Sequence, residues 1–166
     1  MRTFMICKRE HKLEISEKFK EYDTRSNYEV VEYFIKEFTQ SGDTVLDMFA
    51  GMGTTLIVAE KLNRVPYGVS YLEDKYKYVI SKIENKENMI HGDARRLLEY
   101  EFPPIDFVYT SPIFMSKNET RDHLNGYEVF ERSCVMRDFF QIYNRFVFFA
   151  LVTENPISFE VGHMFH

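Results

Sequence analysis

The stretch TVLDMFAGMGTT, Thr44 to Thr55, decides how the rest of the chain is read. Thr44, Val45 and Leu46 favour a strand, Asp47 ends it, and Gly51 and Gly53 turn the chain towards a helix-like segment. Such a turn brings backbone N–H groups close to whatever lies above the strand's carboxyl end, which is how an α/β fold builds a seat for a small molecule. Glycines at a strand-to-helix turn also serve the turn alone, so the loop by itself leaves both readings open. Gly53 is followed by Thr54 and Thr55, with no third glycine at dinucleotide-fingerprint spacing, and a nicotinamide cofactor is therefore disfavoured.

Upstream, SNYEVVEYFIKEFT from Ser26 to Thr39 sets Val30, Val31, Phe34, Ile35 and Phe38 on one helical stripe, opened by a Ser-x-x-Glu capping pattern at Ser26 and Glu29. Downstream, the spacing predicts a second helix from about Gly53 to Leu62 and a second strand over Val65 to Ser70. A third helix follows, with Tyr76, Val79, Ile80 and Ile83 on one face. A short third strand ends near Gly92, and a fourth covers Ile105 to Thr110 after the Pro103-Pro104 break. Strands alternating with helices give a mainly parallel sheet with right-handed crossovers. In the last third, ERSCVMRDFFQIYNR is compatible with a helix, and Phe146 to Glu154 reads as a strand apolar enough to be buried on both faces.

With 166 residues, 45% of them hydrophobic, the chain suffices for one domain with its own core. We expect a single domain over residues 1–166, made of an N-terminal helical extension (1–40), a first half carrying the glycine loop (41–100) and a second half (101–166). A net charge of −5 argues against a general nucleic-acid coat while leaving room for a local basic edge. Cys7 and Cys134 lack paired spacing, which suggests neither a disulfide framework nor a zinc site and fits a reducing cytoplasm. His11, His91, His123, His163 and His166 have no acidic or cysteine partners at metal spacing, so no metal is expected. No apolar run reaches membrane-spanning length and no secretory signal is evident, so the expectation is a soluble, cytoplasmic protein with no membrane partner.

A second element stands at the end of the fourth strand, in TSPIF from Thr110 to Phe114. Ligands of open α/β sheets collect beyond the carboxyl ends of strands, so this tip and the glycine loop can frame one cavity. There the Ser111 hydroxyl and a carbonyl before or at Pro112 can accept hydrogen bonds from an amino group, and Phe114 offers a flat face to a planar ring. The bland reading is a Ser-Pro turn with Phe114 tucked into the core.

Taken in order, VLDMFAGMGTT, HGDA and DFVYTSPIF resemble the cofactor loop, the adenine-contacting acid and the catalytic tetrapeptide of the S-adenosylmethionine-dependent DNA amino-methyltransferases, which methylate N4 of cytosine or N6 of adenine. The resemblance covers roughly Lys18 to Phe114. It implies a Rossmann-like class I methyltransferase fold whose C-terminal part is incomplete in this chain. It also implies S-adenosyl-L-methionine as cofactor and DNA, with its target base flipped out, as partner. Asp47, Phe49, Ala50, Gly51, Gly53, Thr54 and Thr55 would surround the cofactor's methionine end, Asp93 and Ala94 would read its adenine, and Ser70 would stand where the family binds the ribose. Ser111, Pro112 and Phe114 would hold the target base, with Ser111 favouring N4-cytosine over N6-adenine.

The chain departs from the family pattern at three places. Ile113 stands where the tetrapeptide has a second proline, which removes a conformational restraint on Pro112. Ser70 stands where an acid usually follows the glycine of the second strand, unless Glu73 or Asp74 takes that place. After Phe114 the family normally continues through a fifth strand, a helix and a closing hairpin. Phe146 to Val152 can supply the strand, ISFEVGHMFH is too short for the rest, and an exposed sheet edge invites a partner chain or a homodimer. Met115 to Phe130 reads as a solvated connection or as a lid carrying Lys117 and Arg121. These departures keep two alternatives open: a non-catalytic module that binds cofactor or a partner subunit, and a methyltransferase acting on RNA or on a protein amide.

Overall fold

A computed structural model describes residues 13–15, 17–20, 25–111 and 147–149. Within them the order is α1 (Glu17–Lys20), α2 (Tyr28–Phe38), β1 (Thr44–Asp47), α3 (Thr54–Lys61), β2 (Val65–Ser70), α4 (Glu73–Ile80), β3 (Met89–His91), β4 (Phe107–Thr110) and β5 (Val147–Phe149). Short 3₁₀ stretches at Lys86–Asn88 and Ala94–Glu99 flank β3. The strands form one sheet in the order β3-β2-β1-β4-β5, and every pairing is parallel. The chain winds outward from β1 in one direction and resumes at β4 on the other side, so the switch point lies between β1 and β4.

Period-two alternation sends consecutive residues of β1 to opposite faces. Val45 joins Phe107 and Tyr109 beneath Val30, Val31, Phe34 and Ile35 of α2, together with Val58 and Ala59 of α3. Leu46 faces the other way, with Val108, Val69 and the Ala94–Leu97 segment. A third cluster fills the space between α3, α4 and β3, from Leu56, Ile57, Val79, Ile83 and Met89. The glycine loop rests on this cluster through Ala50, which belongs to it.

The helix expected over Ser26–Thr39 forms, with a different cap. The side chain of Asn27, not Ser26, accepts the N–H groups of Glu29 (2.9 Å) and Val30 (3.3 Å). Both residue types cap well; Asn27 takes the place because its extended backbone directly precedes the first helical residue. Replacing Asn27 with alanine should cost about 1 kcal/mol in urea unfolding, while Ser26→Ala should leave the midpoint unchanged. Phe38, expected on the buried stripe, is partly exposed at the helix end and stacks on Phe107 with ring centroids 6.0 Å apart. The third helix stops at Ile80, and Ile83 reaches the core from the following turn. The fourth strand is shorter than its apolar run and begins at Phe107.

The possible helix at 131–145, the connection at 115–130, both cysteines and all of 146–154 except β5 lie outside the described residues. No helix among the described residues is long and apolar enough to cross a membrane.

Candidate cofactor and catalytic site

The carboxyl ends of β1, β2 and β3 are tied to one another by main-chain hydrogen bonds. The Ala50 N–H donates to the Val69 carbonyl (3.0 Å), which fastens the glycine loop to β2, and the Gly92 N–H donates to the Ser70 carbonyl (3.0 Å), which fastens the end of β3 to the same place. Gly51 and Gly53 both have positive φ, 51° and 73°, as the turn into α3 requires. The Gly53 N–H donates back to the Ala50 carbonyl at 2.7 Å and closes the loop.

Asp47 sits beneath this loop. It is 4% exposed, and its carboxylate accepts hydrogen bonds from the Thr55 hydroxyl of α3 (2.6 Å), the Thr110 hydroxyl of β4 (2.8 Å) and the Phe49 N–H (3.0 Å). Thr55 and Thr110 are buried as deeply. Burial pushes the Asp47 carboxyl up, to about 6, against the opposing pull of these three donors. One carboxylate therefore joins the glycine loop, the first turn of α3 and the end of β4. Thr110 directly precedes Ser111, which is half-buried, so this clamp ties the start of the TSPIF element to the glycine loop.

Three features test whether the residues fit S-adenosylmethionine. First, the residue that precedes α3 is Gly53, which offers no side-chain cap, and the opening residues Thr54 and Thr55 are buried; the first N–H groups of the helix suit a carboxylate. Second, no atom outside Gly51 and its immediate neighbours lies closer than 3.8 Å to where a Cβ of Gly51 would stand, leaving room at that bend. Third, Ser70 is 5% exposed at the end of β2, and its hydroxyl makes no hydrogen bond among the described residues, which suits a ligand hydroxyl. The helix start suits a carboxylate and Ser70 suits a hydroxyl, and S-adenosylmethionine carries both.

Asp93 is placed differently from a free acid. Its carboxylate caps the Ala94–Glu99 stretch through the Arg95 N–H (2.9 Å) and holds the Arg95 guanidinium through Nε and Nη2 at 2.5–3.1 Å. Ala94 is buried beside it. Glu73, the alternative acid near Ser70, points its carboxylate at Lys77 on the exposed side of α4 (2.6 Å), and that pairing holds the carboxyl below its ordinary value. His91 stacks on Tyr76, and no group of three or more metal-ligating side chains exists among the described residues. Pro112, Ile113 and Phe114 lie outside the described residues. Reading the sequence singled out neither Thr110 nor Tyr100, whose hydroxyl meets the Asp93 backbone. A polar residue closing the apolar run FVY was the one available sign of Thr110.

Residues 3–87 match the profile of the N6/N4 methyltransferase family described as DNA methylase. The chain belongs to this DNA methylase family. The cofactor of the family is S-adenosylmethionine. The type II methyltransferase M.BglII of Bacillus subtilis is 35% identical over 82 residues, which cover 48% of this chain and 22% of that protein. The chain thus matches about a fifth of that relative's length. Solved structures share the fold at lower identity. A protein described as an rRNA-methylase of Clostridium thermocellum superposes with a TM-score of 0.53 at 17% identity, covering 78% of this chain and 68% of its own. A Streptococcus mutans protein described as a methyltransferase, solved in complex with SAH, gives 0.52 at 11%, covering 70% and 66%. The fold is the Rossmann-like fold of the methyltransferases.

Proposed function

We propose that the chain carries the cofactor site and the first catalytic strand of an enzyme that methylates an exocyclic amino group of a DNA base, N4 of cytosine in preference to N6 of adenine. The observation that carries this reading is the Asp47 clamp, which joins the glycine loop to the residue before Ser111. Asp47 braces the loop from beneath, through Thr55 and Phe49, while Ala50, Gly51, Gly53 and Thr54 line the turn into α3 that receives the cofactor's carboxylate. Ser70 meets a ribose hydroxyl, and Asp93 with the Ala94 N–H reads the adenine edge. When bound, S-adenosylmethionine supplies an electrophilic methyl group on its sulfonium.

The residues of this chain prepare the acceptor. The lone pair of an exocyclic amino nitrogen is delocalised into its ring, so the Ser111 hydroxyl and the Pro112 carbonyl accept hydrogen bonds from its N–H groups and favour a more tetrahedral nitrogen whose lone pair is localised and aimed at the methyl group. Phe114 stacks on the flipped base. Positioning and electrostatics do the work, with no covalent enzyme intermediate. DNA is the acceptor in this reading, and a second chain adds to the sheet edge at β5, the outermost strand of the described order.

Calorimetric titration with S-adenosylmethionine tests the reading. Saturable binding is expected, weakened about tenfold or more in Asp93→Ala. Methyl transfer is then expected to DNA over RNA or protein, with N4-methylcytosine as the product. Transfer only to N6 of adenine would overturn the base preference, and transfer only to RNA or protein would overturn the acceptor. A second reading, a non-catalytic module that binds cofactor or a partner subunit, is favoured by Ser70 and Ile113, which replace an acid and a rigid proline. Cofactor binding without transfer to any acceptor, even with proline restored at 113 and a full partner chain added, would establish it.

A further inference from the structure

Beyond the cofactor loop, the segment after β3 is held in an unusual way. The Tyr100 hydroxyl accepts a hydrogen bond from the Asp93 N–H (2.8 Å) and donates one to the Asp93 carbonyl (3.1 Å), which also accepts the Arg96 N–H (2.9 Å), so a single side chain meets both main-chain groups of one residue. Gly92 makes this approach possible. A Cβ at position 92 would fall on the Tyr100 hydroxyl, a place no flexible side-chain end could vacate without giving up both bonds. The ring is in turn braced against the sheet. Phe102 meets it edge-on with centroids 6.4 Å apart, and Tyr67 of β2 meets Phe102 edge-on at 6.1 Å. A relay of three rings therefore runs from β2 to the Asp93 backbone.

We infer that Tyr100 is the positioning residue of the adenine-reading segment, fixing the backbone of Asp93 so that its carboxylate and the Ala94 N–H present one rigid edge to the base of the cofactor. This rests on the reading of Asp93 given above. The physical reason is directional. Reading a ring edge needs a donor and an acceptor at fixed separation; the Ala94 N–H belongs to the peptide unit that follows the Asp93 α-carbon, and the carboxylate hangs on that same α-carbon through one methylene. Arg95 holds the Asp93 carboxylate from the solvent side, but that pair is partly exposed and gives little rigidity. The two Tyr100 bonds restrain the main chain itself, from the side of the sheet.

The test compares S-adenosylhomocysteine with S-inosylhomocysteine, which replaces the adenine amino group by a carbonyl, in calorimetric titrations of the wild type, Asp93→Asn and Tyr100→Phe. The wild type should prefer the adenosyl ligand, and Asp93→Asn should lose that preference. Tyr100→Phe keeps the ring relay and removes only the hydroxyl; it should narrow the preference about five- to tenfold, chiefly by weakening the adenosyl ligand. A merely structural role would lower the melting temperature or weaken both ligands alike, leaving their ratio unchanged. Should Tyr100→Phe fail to fold, Gly92→Ala displaces the same hydroxyl from the opposite side and should narrow the ratio likewise. A wild-type ratio in Tyr100→Phe, alongside a lost ratio in Asp93→Asn, overturns the role of Tyr100 alone. Equal binding of both ligands by the wild type, or binding of neither, overturns the reading of Asp93 and this inference with it.

Discussion

Gly53→Ala should destabilise the protein by about 2–5 kcal/mol and weaken S-adenosylmethionine binding in step. Two separate costs combine. Gly53 has φ of +73°, a left-handed conformation that costs a residue with a Cβ about 1–2 kcal/mol. A Cβ there would also stand 2.7 and 2.9 Å from the two γ-methyl carbons of Val79 and 3.3 Å from its Cβ. Val79 is fully buried on α4 and β-branched, so it cannot rotate away, and overpacking of this kind costs about 1–3 kcal/mol. A double-mutant cycle separates the two. Val79→Ala leaves a cavity and destabilises by itself, but in the Gly53→Ala background it also relieves the clash, so the double variant should be more stable than the sum of the single effects by about 1–2 kcal/mol. What persists is the backbone strain. Urea midpoints should shift with unchanged slopes, as befits altered stability of one folded state. Strict additivity would mean that α3 does not rest on α4 at this point.

This close approach explains why the glycine loop was readable and its neighbours were not. Gly51 and Gly53 announce themselves, because only glycine is at ease at positive φ and a strand-to-helix turn needs it. Val45, Leu46, Val69 and Val108 announce themselves through apolar runs that a parallel sheet buries on both faces. The βαβ order follows from these alone, and the sheet order agrees with it. The cap of α2 was ambiguous at one-residue resolution, since Ser26 and Asn27 are both capping residues and only backbone geometry chooses between them. Tertiary partnerships were silent. Thr110 meets Asp47 across 63 positions of sequence, and Tyr100 meets Asp93 by folding back over a 3₁₀ stretch that no periodicity signals. Asp93 was legible as an acid after a strand, while its engagement by Arg95 was not. Ser70 was visible as a departure from the family pattern. Its burial and its hydroxyl without a partner among the described residues came only with the structure.

Asp47 should contribute more stability at pH 5 than at pH 7, and Asp47→Asn should remove that contribution. Burial raises its carboxyl from the ordinary 3.8 to about 6. Between those values the folded protein keeps the proton and the unfolded chain has released it, so the free energy of unfolding falls as pH rises. The contribution is fully present below about pH 3.8 and is lost as pH climbs through about 6; its full extent is roughly 3 kcal/mol. Other groups titrate in the same window, so the informative quantity is the wild-type stability minus that of Asp47→Asn, measured by urea unfolding from pH 4 to 8. It should decline across the window and level off near pH 7, and a flat difference would mean that Asp47 keeps its ordinary ionisation. The asparagine preserves the shape and an acceptor, so it should fold well at neutral pH. Asp47→Ala should not: Thr55, Thr110 and the Phe49 N–H would be left buried without their acceptor, at a cost of about 3–5 kcal/mol. The contrast gives the buried acid a purpose. Ionised, as it is above pH 6, the carboxylate grips both threonine hydroxyls with charge-assisted hydrogen bonds, stronger than an amide could make. The fold thus gives up stability at neutral pH to hold the glycine loop and the start of the TSPIF element together. Asp47→Asn should accordingly be as stable as the wild type at pH 7, or more so, and yet bind S-adenosylmethionine more weakly.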